Sequence, residues 1–83
     1  MGPVHDAGLV REIADAIHRY VLSHPDAADN IDGIHQWWLL PLLREEAPAF
    51  VEAAVQLLVI EGVLQQVVLE DGRVIYSSAQ RRR

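Results

Sequence analysis

The side chains able to do chemistry in this chain are few, and their spacing assembles no reactive centre. Histidines stand at His5, His18, His24 and His35. None forms a His-x-His or His-x-x-x-His pair, the spacings that place two imidazoles on one face of a strand or helix, so only the fold could gather them around a metal. Cysteine and lysine are absent, which removes thiolate and amine nucleophiles and leaves Ser23, Ser77 and Ser78. Ser23 precedes His24, but a hydroxyl nucleophile also needs a third group to orient its base, and sequence adjacency supplies none. The twelve acids are spread as a solvated shell, and no glycine-rich phosphate loop occurs. An enzyme is therefore not expected, nor a metal, a cofactor or a small-molecule substrate.

Charge narrows the partners. Seven arginines against twelve acids give a net charge of −5, and three of those arginines are the last three residues. Residues 1–80 thus hold four arginines against twelve acids, which is −8. A body of that sign repels phosphate backbones. The longest unbroken apolar stretch, Trp37 to Leu43 with Pro41 included, is seven residues, whereas a spanning helix needs roughly 20. The N-terminus lacks a basic segment followed by an apolar run. A soluble cytoplasmic protein is the expectation, with no membrane partner.

With 83 residues, 51% hydrophobic, there is room for one core, so the chain reads as a single domain, 1–83. Leu9, Val10, Ile13, Ala14, Ile17, Tyr20 and Val21 form a helical stripe with Arg11, Glu12, Asp15, His18 and Arg19 opposite. The spacing predicts helix 1 over about 7–23, capped by Asp6 and stopped by the residue before Pro25. Asp26 to Asn30 is turn chemistry, and Asp29 or Asn30 can cap helix 2, about 30–39. Gly33 within it implies either close packing or a short helix. Pro41 stops that helix, and Leu40 to Glu46 read as a connection. Pro48 opens helix 3, about 47–61, with core positions Val51, Ala54, Val55 and Leu58 and a left-handed end at Gly62. Strands at about 64–69 and 74–77 flank Asp71-Gly72, a hairpin signal read as a type I′ turn. Residues 1–5 and 78–83 read as flexible tails.

The run Val51-x-x-Ala54-Val55-x-x-Leu58-x-x-x-Gly62-Val63-Leu64, leading into Asp71-Gly72-Arg73-x-x-Tyr76, resembles a winged helix-turn-helix domain over about residues 7–77. The resemblance implies an α+β fold, a three-helix bundle followed by a C-terminal β-hairpin wing. Helix 3 would then be the element that enters the major groove in DNA-binding members. The superfamily also serves as subunits and adaptors, so the fold alone does not choose a function.

Helix 3 itself argues against base reading. Outside its core stripe it carries Ala49, Phe50, Glu52, Ala53 and Gln56, where base edges and phosphates call for donors. Apolar residues surround it: Phe50, Ala53, Leu57 and Ile60 project away from the core group, and Phe50 and Leu57 either pack beneath helix 2 or the wing, or join an outer face. Adjacent helical residues point about 100° apart, so Trp37 and Trp38 cannot share one core site. Trp38 lines up with Ile31 and Ile34; Trp37 either projects outward or lies on the Leu40-Pro41-Leu42 connection. The first expectation is a protein-interaction module, binding a protein partner or itself as a homodimer. Its surface would comprise Trp37, Leu40, Leu42, Leu43, Phe50, Ala53, Leu57 and Ile60. The alternative is a DNA-binding regulator using Arg44, Gln56, Arg73 and the tail Arg81, Arg82 and Arg83.

Overall fold

The computed structural model describes the backbone of residues 3–79 and the side chains of residues 7–79. Helix α1 spans Pro3–Ser23 and buries Ile13, Ala14, Ile17 and Val21, the i, i+4, i+8 stripe set by sequence. It starts earlier than expected. Proline is tolerated in a first turn because its missing N–H would be unpaired there anyway. Residues 3–5 are thus helical rather than a tail, and Asp6 lies within the helix instead of capping it. The helix ends as expected, with the His24 N–H reaching the Tyr20 carbonyl at 2.8 Å before Pro25.

The following segment is not only a turn. Ala28–Asp29 form strand β1, paired antiparallel with the strand at the other end of the domain, Ala28 opposite Ser77 and Asp29 opposite Tyr76. Asn30 then caps α2, Ile31–Gly33, by accepting the Gly33 N–H at 2.8 Å. The helix widens at once into a π-helical turn, Ile34–Trp38, which buries Ile34 and Trp38 and leaves Trp37 outside.

Pro41 both stops this run and begins another. Pro41–Arg44 form a single-turn helix, α3, where a connection was expected, with proline again in the first turn. Three bonds hold it. The Arg44 N–H reaches the Leu40 carbonyl at 3.0 Å, the Arg44 guanidinium donates to the Leu39 carbonyl at 2.9 Å, and the His35 Nε2 donates to the Arg44 carbonyl at 2.7 Å.

Helix α4, Pro48–Ile60, buries Val51, Ala54, Val55 and Leu58 against α1. Its end is a Schellman arrangement: Val63 N–H to Leu58 carbonyl at 2.9 Å, Gly62 N–H to Val59 carbonyl at 3.1 Å, and Gly62 at φ +80°. Val63 and Leu58, both buried, supply the apolar contact of that motif. The chain turns directly into β2, Leu64–Val68, and returns as β3, Val74–Ser78, with Leu64 opposite Ser78 and Val68 opposite Val74. Ser78 is buried in the strand rather than part of a tail. The architecture is α+β, with a three-stranded antiparallel sheet in the order β1-β3-β2.

The hairpin turn differs from the expected type I′. Positive φ occurs at Gly72, +91°, and among the described residues at no non-glycine residue, so Asp71 does not adopt the left-handed conformation that type I′ requires. Instead the Gly72 N–H closes a turn onto the Leu69 carbonyl at 2.9 Å, and the Leu69 N–H reaches the Arg73 carbonyl at 2.7 Å. This is the three-residue loop in which an ordinary turn precedes a left-handed glycine bulge. The Asp71 carboxylate accepts the backbone N–H of Arg73 at 3.0 Å and its guanidinium at 2.7 Å, which secures the tip.

Gly33 is explained by close approach. A Cβ there would fall on the carboxylate of Asp29, whose Oδ1 accepts the Asn30 N–H at 2.8 Å. Overpacking costs about 1–3 kcal/mol, partly offset by alanine's helical preference of up to about 1 kcal/mol. Gly33→Ala is therefore expected to lower the unfolding free energy by about 1 kcal/mol in urea titration. In an Asp29→Ala background it should become neutral or stabilising. Equal losses in the two backgrounds would show that Asp29 is not the obstacle.

Candidate functional site

The residues singled out as an apolar interaction surface do not form one continuous face. Phe50 and Leu57 are half-buried, packed against the core, and so is Leu43. Trp37, Leu40, Leu42 and Ile60 are the large exposed ones, at 73%, 68%, 83% and 81%. Ala53 is exposed on α4. Ile60 stands at the C-terminal end of α4, next to Glu61, whose carboxylate receives both terminal nitrogens of Arg11. That bond and the carboxylate's charge raise the Arg11 pKa further, and a solvent-exposed ion pair joins α1 to the end of α4.

Leu40 and Leu42 lie together beside α1. Leu40, Pro41, Leu42 and Leu43 form one wall of an open groove of about 430 Å³, and Glu12 and Arg19 of α1 form the other. A second hollow of about 220 Å³ shares Arg19 and Leu40 and is completed by Ala16, Tyr20, Ser23, His24 and Trp38. Its floor is a stack of rings. Tyr20 lies on Trp38 with centroids 4.9 Å apart and planes 15° apart, and His24 lies on Tyr20 at 4.3 Å and 16°. The His24 Nδ1 is 3.1 Å from the Tyr20 carbonyl, which can only accept, so Nδ1 is assigned the proton. With Nδ1 so engaged and Nε2 of His35 spent on the Arg44 carbonyl, these two histidines hold the backbone. Among the described residues no group of three His, Asp or Glu is placed to hold a metal ion.

The two described cations proposed for DNA contact are engaged within the chain, and so is Gln56. Arg44 is bound to the Leu39 carbonyl and Arg73 to Asp71, while Gln56 donates to the Tyr76 hydroxyl at 3.2 Å. Arg81, Arg82 and Arg83 lie outside the described residues. The exposed stripe of α4 is Ala49, Glu52, Ala53, Gln56 and Ile60, with one carboxylate, one amide and no cation. Tyr20 read from sequence as part of the α1 stripe and His24 as an unsupported base beside Ser23, whereas Glu12 and Arg19 were not singled out and read as members of a solvated face. The available signal was their spacing of seven residues, two helical turns, with opposite charge. Nothing local placed the leucines of residues 40–43 against them.

Among the described residues no helix is long and apolar enough to cross a membrane. No family model matches the chain, and no curated protein or solved structure matches it either.

The split between half-buried and exposed apolar side chains is open to measurement. Leu42→Asp and Ile60→Asp are expected to shift the unfolding free energy by no more than about 0.5 kcal/mol, as for surface changes generally. Leu57→Asp forces a carboxylate against the core and should cost about 2–3 kcal/mol. Chemical denaturation of the three variants checks this, and a Leu57→Asp variant as stable as the other two would place Leu57 on the surface.

Proposed function

We propose that this chain is a winged helix-turn-helix domain that works as a protein-interaction module, not as a reader of DNA. The element order supports the fold: α1, a short strand, the α2 and α4 pair, then a hairpin whose returning strand β3 takes β1 on its free side. The glycine that ends α4 and the Asp71-Gly72-Arg73 tip fit the same plan.

The observation that carries the function is the exposure of Leu40 and Leu42 on the wall of an open groove. Large apolar side chains held out to solvent beside a concavity are what a protein contact requires, because their transfer out of water is its driving force. They are not on a loose loop: the His35, Arg44 and Leu39 bonds fix the turn that presents them. The helix that would enter the major groove offers Glu52 and Gln56 and no positive charge, so a phosphate backbone finds repulsion where it needs donors.

Titration of a labelled mixed-sequence DNA duplex at low ionic strength, where phosphate binding is strongest, tests the choice. No binding is expected at any protein concentration reached. Binding with a steep salt dependence would overturn the reading in favour of a DNA-binding regulator.

A further inference from the structure

The groove on α1 carries a charge pattern that selects its occupant. Among the described residues Arg19 is the arginine left without a hydrogen bond or ion pair, since Arg11, Arg44 and Arg73 all have partners. Glu12 is likewise exposed and without a partner among them. Both line the groove against Leu40 to Leu43. They stand seven residues apart on one stripe of α1, which is about 10 Å along the axis at about 1.5 Å per residue.

Two such stripes are complementary in one orientation only. Laid parallel they put like charge on like. Laid antiparallel about a twofold axis midway between the two residues, they put Glu12 of each copy on Arg19 of the other, two identical ion pairs from one surface. The exposed Leu40 and Leu42 border the same groove, so in that arrangement the shoulder of each copy lies on a flank of the paired α1 helices. Burial of each shoulder beside the partner's helix supplies the apolar contribution, and the central ion pairs set the register.

We infer that this face of α1, with the Leu40 to Leu42 shoulder, is an isologous dimer interface, its occupant a second copy of the chain and its register set by reciprocal Glu12 and Arg19 pairs. The inference rests on the groove being a protein contact, as proposed above, and adds the partner and the symmetry.

Sedimentation equilibrium of the full chain tests it at physiological ionic strength, where repulsion between two chains of net charge −5 is screened beyond about 8 Å. The wild type is expected to dimerise. Arg19→Glu and Glu12→Arg should each weaken the dimer at least about tenfold, because each places like charges in both reciprocal pairs. Neither residue has a partner among the described residues, so circular dichroism should be unchanged. An equimolar mixture of the two variants should associate as tightly as the wild type, and so should the double variant Glu12→Arg/Arg19→Glu, since both arrangements restore opposite charges. Leu42→Asp should give a folded monomer. A wild type that stays monomeric at all concentrations, single reversals that leave the dimer constant unchanged, or a mixture that fails to associate would each overturn the inference. A monomer that also ignores DNA removes the second copy alone, whereas DNA binding removes the protein-contact reading itself.

Discussion

The fold hangs on the burial of one stripe of α1, Ile13, Ala14, Ile17 and Val21, against one stripe of α4, Val51, Ala54, Val55 and Leu58. Each stripe carries an alanine among branched side chains, which lets the two helices approach closely while the larger groups interlock. A domain of this size has about 0.05–0.15 kcal/mol of stability per residue, so truncating a single buried isoleucine, at about 2–5 kcal/mol, consumes a large share of the total. The α2 and π-helical segment and strand β2 contact this pair directly, and β3 and β1 are carried by the sheet. The π-helical turn adds Ile34 and Trp38 to one end, and the Schellman end of α4 sends Val63 and Leu64 back into the core before the chain leaves as the hairpin.

Once the core is filled by residues of α1 and α4, the segment between Leu39 and Arg44 has one place to go. Leu39 is buried and Pro41 starts a new turn, so Leu40 and Leu42 face outward while Leu43 turns back towards the core. Polar side chains hold that turn: His35 donates to the Arg44 carbonyl and the Arg44 guanidinium to the Leu39 carbonyl, satisfying acceptors that a tight reversal would leave unpaired. The consequence for function is a fixed apolar shoulder beside a helix with two oppositely charged residues that have no partner among the described residues. Exposed charges cost little to leave unpaired in water, which is why Glu12 and Arg19 are available to a second surface.

Much of this was legible in the sequence. The helical stripe of residues 9–21, the proline at the start of α4, Gly62 and the Asp-Gly hairpin placed the main elements within a few residues, because periodicity and turn chemistry are local properties. Strand β1 was not legible, since two residues have no period and exist as a strand only through the ladder that β3 offers. The turn type is not fixed locally, for a related reason. Asp-Gly is compatible with more than one loop length, and the pairing of Val68 with Val74 settled which one forms.

By itself the sequence determined which side chains are able to be buried, where helices stop, and that the charge balance opposes a phosphate ligand. Only the tertiary structure decided which apolar residues stay in water. Phe50, Leu57, Leu42 and Ile60 are alike in type, yet the first two lean on the core while the last two do not. It also decided that three described arginines are spent on internal partners and Arg19 is not. Exposure and pairing depend on which distant element lies alongside, and that is settled by packing between residues far apart in the chain.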